Sequence, residues 1–329
     1  MKLSDLPKII DIRIKGDSNF EVSNLSSPNN PQKNTIVYLD SIKKINKKIF
    51  SIPVVILLDE KFEDQLKELN LNYLFAKNAK LEFAKLTHYF KRNVSNINTF
   101  DIENYHETVT FGKNTFVGNN VKIGRNAVIQ SNVVIEDDVI IGANSHISNN
   151  AILMHGVMIG DNSIIGPGSI IGSEGFGNVL LSNSTWFHIC HLGSVEIGNN
   201  VSIGSNCTID RGTIENTIIQ DGVIIDNLVH IAHNVNIGEN TAIAAKVGIA
   251  GSCNIGKRNM IGGMVGIVDH IKTTDDVVIS ATSTVNKDLK EPGVYTGIMP
   301  ISKHLNWKRI ALWITKLDKI AKLINFKKN

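Results

Sequence analysis

The sequence predicts a mainly β protein whose central part is a parallel β-helix of hexapeptide repeats, with a small N-terminal α/β domain and a C-terminal helical extension. The main evidence is a six-residue period. From Phe111 to Ile171, all eleven positions spaced by six are apolar, whereas the 42% hydrophobic content predicts about five. The pattern resumes at Ile197 and, after a slip of four residues beyond Ile209, continues to Val285.

A period of six fits neither the 3.6 residues per turn of an α-helix nor the alternation of a plain strand. It fits a short strand followed by a corner, where Gly or Asn supplies a positive φ and one aliphatic side chain points inward. Three such segments close a triangular coil of 18 residues, and successive coils stack at strand spacing, about 4.8 Å. The 26 hexads therefore predict nearly nine coils within residues 101–290.

Three regions lie outside this period. Residues 1–100 mix extended segments (NTIVYLD) with helical ones (AKLEFAKLTHYF), which indicates an α/β domain. Residues 173–194 leave the hexad register, so we expect a projecting loop, a common place for binding residues. Residues 291–329 predict a linker and a basic amphipathic helix that packs on a partner such as its own copies. The apolar positions of that helix are Ile310, Trp313, Ile314, Leu317, Ala321 and Ile324.

Composition limits the protein class. No apolar run is long enough for a membrane span, and the first residues lack the apolar core of a signal peptide. The three cysteines, Cys190, Cys207 and Cys253, are too scattered for a disulfide framework, so we expect a cytoplasmic protein. From residue 301 onward, eight basic residues face one acid, a net charge of +7 against −4 for the rest. This segment is either a solvated helix face or a surface for an acidic partner or an anionic membrane.

The segment HIAHNVNIG, residues 230–238, contains the candidate catalytic group. With Ile231 pointing inward, His233 lies at an outward corner, and Gly251 stacks on it one coil of 18 residues later. A base beside a backbone N–H donor suits acyl transfer, because the base takes a proton from the nucleophile and the N–H group stabilises the oxyanion of the tetrahedral intermediate. Asp226, about one hexad before the histidine, is predicted to orient its ring.

Two other interpretations of these histidines remain open at this point. An outward corner histidine is commonly a solvated polar residue without a catalytic role. A metal site would need three converging ligands, and the offsets of His230 and His270 from His233 do not favour one. We therefore predict no metal and no cofactor.

Three segments are specific: GSEGFGN (172–178), the run from TIDRG to AGS (208–252), and EPGVYTGIMP (291–300). Over about residues 100–315 the chain resembles the UDP-3-O-acylglucosamine N-acyltransferase family of the hexapeptide acyltransferases. The resemblance implies a left-handed β-helix, a homotrimer with active sites between neighbouring copies, and a uridine-binding N-terminal domain. It implies the N-acylation step of lipid A biosynthesis, in which the phosphopantetheine thioester of an acyl carrier protein supplies a 3-hydroxyacyl chain to the 2-amine of UDP-3-O-(3-hydroxyacyl)glucosamine.

The resemblance also implies roles for individual residues. His233 falls on the family's general base and the backbone of Gly251 on its oxyanion donor. His270 falls on a histidine that positions the substrate or the phosphopantetheine arm. The remaining matches are the pair Asp226 and Asn227 and, near the acceptor site, Phe176. The acidic carrier protein becomes the expected partner of the basic tail, with no nucleic acid and at most peripheral membrane contact.

Several positions depart from the family pattern. His230 replaces a glutamine and Asp269 a glycine, while HICHLG (188–193) stands where a proline-glutamine-glycine run is usual. In the N-terminal domain, Tyr38 matches the first aromatic partner of uracil, but Ser41 and Lys44 replace the other two uracil contacts. Two alternatives follow: an acyltransferase that uses acyl carrier protein or coenzyme A and acts on a different nucleotide sugar, or a non-catalytic hexapeptide scaffold.

Overall fold

The computed structural model describes residues 1–44, 47–66, 71–94 and 98–323. By its contacts the chain divides into two units, Met1–Thr296 and Gly297–Asn329. The first unit contains an N-terminal sheet and the whole β-helix, and the second contains the C-terminal helices.

The N-terminal part is a five-stranded sheet in the order β1-β5-β4-β3-β2. Its strands are β1 Arg13–Lys15, β2 Asn24–Ser26, β3 Thr35–Tyr38, β4 Val55–Asp59 and β5 Asn72–Ala76. All neighbours are parallel except β1, which pairs antiparallel with β5. The helices are α1 Lys47–Phe50 and α2 Ala79–Phe90, with 3₁₀ turns at Leu3–Lys8, Ile42–Lys44, Glu60–Leu66 and, before the β-helix, Ile102–Asn104. The Asn78 side chain caps α2 by accepting a hydrogen bond from Leu81 N.

The predicted parallel β-helix is confirmed. Its strands form three parallel sheets of nine, seven and ten strands, which we call faces A, B and C. The hexad side chains point inward and form one continuous core. Strands on one face pair 18 residues apart, as Val134 does with Ile152. For pairs that span the four-residue slip after Ile209 the offset is 22 residues, as for Thr208 and His230, and it then returns to 18, as for Ile218 and Asn236.

The strands are short. Face A contains Phe116–Val117, Val134–Ile135, Ile152–Leu153, Ile170–Ser173, Thr208–Asp210, His230–Ile231, Gly248–Ile249, Gly266–Ile267 and Thr284–Val285. Face B contains Lys122–Ile123, Ile140–Ile141, Met158–Ile159, Val195–Ile197, Thr217–Ile219, Asn236–Ile237 and Asn254–Ile255. Face C contains Thr110–Phe111, Val128–Ile129, His146–Ile147, Ile164–Ile165, Ser202–Ile203, Ile224–Ile225, Ala242–Ile243, Met260–Ile261, Val277–Ile279 and Gly293–Tyr295.

Asparagine and glycine allow the tight corners of the coil. The residue in the left-handed region is most often Asn, for example Asn114 with φ 58° and Asn120 with φ 56°. The glycine that follows an inward residue is needed for close approach instead. A Cβ on Gly112 would lie 2.3 Å from Ser131 N in the next coil. Glycine also supplies the positive φ at Gly156, Gly168 and Gly222, with φ 74°, 70° and 71°, so the prediction that Gly or Asn does so is confirmed.

The segment 173–194 leaves the coil as predicted, but it is ordered as a hairpin of strands Asn178–Leu180 and Trp186–His188. This hairpin packs on α2 of the N-terminal part. His88 Nε2 lies 2.9 Å from His188 O, and Cys190 N donates to Thr87 Oγ1 at 3.0 Å. The excursion thus joins the N-terminal sheet to the β-helix.

The C-terminal unit differs from the single predicted helix. It contains α3, His304–Ile314, and α4, Leu317–Leu323, with a break at residues 315–316. Ile324 lies outside the described residues. Within the described part of α3 no side chain is buried, and Trp307 and Trp313 are exposed. None of the described helices has the length and apolar character needed to cross a membrane.

Candidate active site

The ring of His233 is oriented by the residue that follows it. His233 Nδ1 lies 3.1 Å from Asn234 Oδ1. The same Oδ1 accepts from Thr213 N at 3.0 Å, while Asn234 Nδ2 donates to Glu215 O at 2.9 Å. These backbone partners fix which end of the amide is oxygen, so His233 Nδ1 carries the proton. Nε2 therefore has the free lone pair that a general base requires.

That lone pair faces the next coil. A Cβ built on Gly251 would lie 2.7 Å from both Nε2 and Cε1 of His233, so the ring rests directly on the glycine backbone. The coils are tied together here by Ser252 N donating to His233 O at 2.9 Å. The Gly251 N–H donates to no acceptor in the part of the chain that the structure describes. A base and an unused backbone donor are thus adjacent, at the offset that the repeat predicts.

An open cleft of about 720 Å³ surrounds this pair on face A. Its lining includes six further polar residues and two glycines in the floor, the polar residues being Asp210, His230, Ser252, Asp269, His270 and Thr284. A Cβ on Gly248 or Gly266 would meet no atom within 4 Å, so the floor is free of side chains. Phe176 is 89% exposed at the tip of the GFG loop. The structure therefore brings together these predicted site residues: Phe176, His230, His233, Gly251 and His270.

Two carboxylates line this cleft, Asp269 and Asp210, and the sequence analysis did not identify Asp210. Its Oδ2 lies 3.7 Å from His230 Nε2, and its Oδ1 accepts from Ser173 Oγ at 2.8 Å. Burial raises the pKa of Asp210, although the hydrogen bond from Ser173 and the charges of His230 and His233 act to lower it. His230 also contacts Thr208 Oγ1 through Nδ1 at 2.8 Å. His230 and Asp210 thus form a polar pair at the edge of the cleft.

The predicted role of Asp226 in orienting His233 is wrong within this chain. Asp226 lies on face C and lines a separate, mostly apolar groove of about 570 Å³. Its Oδ1 accepts from Asn227 N at 2.7 Å, and Asn227 Oδ1 accepts from Ser205 N at 2.7 Å. The reason is geometric. A step of one hexad moves the chain to the next face of the coil, whereas residues one whole coil apart share a face.

Tyr38 lies in the N-terminal sheet, at the end of β3, and does not line the cleft around His233. Its ring stacks on Phe83 with centroids 5.1 Å apart and planes 23° apart. Burial first, then the charges of Asp40 and Asp59, raise the pKa of Tyr38 to about 12. One face of this ring is therefore already covered. The side chain of Lys44 lies outside the described residues.

One group of metal-ligating side chains occurs within the described ranges: Glu174, His188 and Cys190, with ligand atoms within 4.8 Å of one another. Lys91 Nζ and His188 Nε2 each lie 2.5 Å from a different oxygen of Glu174. Burial raises the pKa of Glu174, but these two hydrogen bonds outweigh it and the net shift is downward. Burial raises the pKa of the Cys190 thiol. Both oxygens of the Glu174 carboxylate thus already have a partner, Lys91 for one and His188 for the other.

The repeat matches the family described as bacterial transferase hexapeptide (six repeats), over residues 114–149 and 138–173. Two curated relatives carry the name UDP-3-O-acylglucosamine N-acyltransferase. The protein from Bordetella avium is 48% identical over 150 residues, which are 45% of this chain and 42% of the relative. The protein from Hahella chejuensis is 42% identical over 154 residues, 47% of this chain and 44% of the relative. The chain thus spans less than half the length of these relatives.

Among solved structures, the UDP-N-acetylglucosamine acyltransferase of Francisella novicida superposes with a TM-score of 0.50 at 23% identity. The superposition covers 61% of this chain and 71% of that one, and it supports the fold alone. The hexad core, the family match and the curated relatives agree with one another. The chain is therefore similar, over slightly less than half of its length, to the UDP-3-O-acylglucosamine N-acyltransferases, and residues 114–173 match the hexapeptide repeat of bacterial transferases.

Proposed function

We propose that this chain is an N-acyltransferase that transfers a 3-hydroxyacyl chain from acyl carrier protein to the 2-amine of UDP-3-O-(3-hydroxyacyl)glucosamine. The observation that carries the proposal is the contact of His233 Nε2 with the Gly251 backbone inside an open cleft. This geometry suits proton removal from an amine together with stabilisation of an oxyanion. The substrate assignment comes from the curated relatives' name.

The reaction assigns one task to each group. The amine nitrogen attacks the thioester carbonyl while His233 Nε2 takes the proton that the nitrogen loses. The Gly251 N–H donates to the oxygen of the tetrahedral intermediate. When the intermediate collapses, the carbon–sulfur bond breaks, and the imidazolium returns its proton to the leaving sulfur. An amide and a free thiol result, so no metal or cofactor is needed.

The remaining cleft residues are proposed to bind substrate. His270 and Phe176 lie on the cleft wall near His233, where they suit contact with the thioester arm and the acceptor sugar. The bare floor at Gly248 and Gly266 suits a flexible alkyl chain. Asn227 does not line this cleft, and its oxygen is used for coil stacking, which leaves its Nδ2 as the group that would contact a ligand.

We propose acyl carrier protein as the partner of the C-terminal unit. The helices α3 and α4 contain the basic residues Lys308, Arg309, Lys319 and Lys322. Trp307 and Trp313 of α3 are exposed beside them. A basic helical surface with aromatic anchors complements an acidic protein. A homotrimer in the cytoplasm is proposed with it. Face C supports self-association, because it carries a row of exposed outward side chains, namely Ile164, Ile224, Met260 and Val294.

A second candidate is an acyltransferase for a different nucleotide sugar. The observation that favours it is the packing of Tyr38 on Phe83, which leaves one ring face for a base. The side chain at position 41 is a serine, where the resemblance leads us to expect an amide. Both points concern the acceptor and leave the chemistry at His233 unchanged.

The test is a mass-spectrometric transfer assay with UDP-3-O-(3-hydroxyacyl)glucosamine and a panel of 3-hydroxyacyl carrier proteins. Wild type is compared with His233→Ala and with His146→Ala, a matched change at an outward histidine of face C. We expect an amide product from wild type and His146→Ala, with turnover reduced at least about a hundredfold in His233→Ala. Full turnover in His233→Ala would refute the assigned base. No product from folded wild-type protein would favour the second candidate.

A further inference from the structure

His191 lies directly behind the proposed base. It belongs to the excursion 173–194, follows the hairpin, and is only 2% exposed. Its ring meets the ring of His233 edge-on, with centroids 5.1 Å apart and planes 62° apart. It does not line the cleft, so it touches His233 from the protein side. The ring of His233 is thus enclosed by Asn234, Gly251 and His191.

The GFG loop closes the space around this pair. A Cβ on Gly175 would lie 2.8 Å from His233 Cβ and 2.9 Å from His191 Nε2. A Cβ on Gly177 would lie 2.9 Å from His191 Cε1. The two imidazoles are therefore packed against loop backbone, without slack for either ring to turn.

His191 is an unusual choice for such a place. Neither of its ring nitrogens has a hydrogen-bond partner of normal geometry within residues 1–44, 47–66, 71–94 and 98–323, although the backbone of Ile189 lies close enough to favour the charged ring. A buried polar group without a partner costs stability, so an apolar side chain would serve simple packing better. Burial first, then the charge of His233, lower the pKa of His191 to about 4, with His188 acting in the same direction and Glu174 opposing it. His191 is thus neutral at neutral pH and adds no positive charge beside the base.

We propose that His191 is a positioning residue for the acyl transfer: its ring edge holds His233 in the orientation that points Nε2 at Gly251. The inference rests on the proposed function of His233. Asn234 fixes one ring nitrogen of His233, but a single hydrogen bond leaves the ring free to rock about it. The edge contact from His191 removes this freedom from the opposite side. A small displacement of the base is enough to lower the rate, because proton transfer depends on hydrogen-bond geometry.

The experiment compares His191→Ala and His191→Gln with wild type and with His88→Gln, a histidine that contacts the same hairpin but not His233. We expect kcat of His191→Ala to fall about tenfold while KM for both substrates changes less than about twofold. Glutamine restores volume and polarity without a charge, so His191→Gln should recover most of the lost kcat. His88→Gln should match wild type.

A spectroscopic readout separates positioning from packing. Solid-state ¹⁵N NMR of histidine-labelled protein reports which nitrogen of His233 is protonated, with His233→Ala used to assign the signal. We expect one narrow His233 signal in wild type and a broadened or doubled signal in His191→Ala, because the ring then samples more than one orientation while Asn234 keeps the same tautomer. An unchanged His233 signal together with a lower melting temperature would overturn the proposal, as would wild-type kcat in His191→Ala. Because this signal needs no substrate, it stays informative if the proposed acceptor is wrong, whereas full turnover in His233→Ala would refute the proposed base and the positioning role with it.

Discussion

His233 and Asn234 are consecutive residues whose side chains are joined by a hydrogen bond of 3.1 Å between Nδ1 and Oδ1. The bond places an amide where the triads of many hydrolases have a carboxylate. A neutral acceptor selects the tautomer of the imidazole without adding a negative charge next to it. The amide is itself held by Thr213 N and Glu215 O, so its orientation does not depend on substrate.

Asn234→Ala removes this bond and should lower kcat by at least about tenfold, because the ring then samples the wrong tautomer. The measurement is steady-state kinetics in the transfer assay. Asn236→Ala is the matched control, since Asn236 contacts Gln220 and not the base. Equal rates for the two variants would show that the His233 ring is oriented without Asn234.

Gly251→Ala tests the contact between the base and the next coil. The new Cβ would lie 2.7 Å from His233 Nε2, so the ring must move away from the position of the nucleophile. We expect kcat/KM to fall about a hundredfold while the far-ultraviolet circular dichroism spectrum stays unchanged. Gly263→Ala is the control, because the atom nearest to its new Cβ would be Ala245 O, 3.4 Å away. Comparable activity in both variants would contradict the proposed site.

Much of the fold and part of the site follow from the hexad. The period specifies which residue points inward and which residue stacks one coil later, and it correctly places Gly251 on His233. Counting by hexads also led to a wrong choice of carboxylate, because Asp226 lies on face C and not at the cleft. Asp210 lies at the cleft because it ends the face A strand Thr208–Asp210, in which Thr208 pairs with His230 at an offset of 22 across the slip. The slip was visible in the sequence, and applying it to face A would have identified Asp210.

Other parts of the site carry no periodic signal. His191 lies in the excursion, where its position depends on how the hairpin folds against α2. That contact joins residues about a hundred positions apart, and no local pattern encodes it. Asn234 was visible in the HIAHN segment, but its partner was not, because Thr213 reaches it through the irregular turn between two coils.

The buried His191 should make stability depend on pH in a defined window. Its pKa is about 4 in the folded protein against 6.5 as the ordinary value. Below pH 6.5 the unfolded chain therefore takes up a proton that the folded protein does not, and stability falls with pH until about pH 4. The expected loss is about 1.4 kcal/mol per pH unit, or roughly 3 kcal/mol in total.

His191→Gln removes the titrating group, so its melting temperature should decline less than that of wild type between pH 6.5 and pH 4. The measurement is thermal unfolding by circular dichroism across this range. His88→Gln changes an exposed histidine and should keep the wild-type slope. Parallel curves for wild type and His191→Gln would mean that His191 is protonated in the folded protein.

Arg211 should be a major contributor to the stability of the coil where the excursion leaves it. The residue is 1% exposed, and its guanidinium donates to Gly172 O at 2.7 Å and to His155 O at 2.6 Å. Burial lowers the pKa of Arg211, although the negative charges of Glu136 and Glu174 act to raise it. Arg211→Ala leaves both carbonyls without this partner and opens a cavity, so we expect a loss of about 3 kcal/mol in the free energy of unfolding.

The matched control is Arg258→Ala, because Arg258 is exposed and pairs with Asp276 on the surface. Exposed ion pairs contribute little, so this variant should melt close to wild type. The two variants are compared by thermal and urea unfolding at neutral pH. An Arg211→Ala protein as stable as Arg258→Ala would show that water or a neighbouring side chain replaces the guanidinium at the two carbonyls, and that the excursion is held by the hairpin alone.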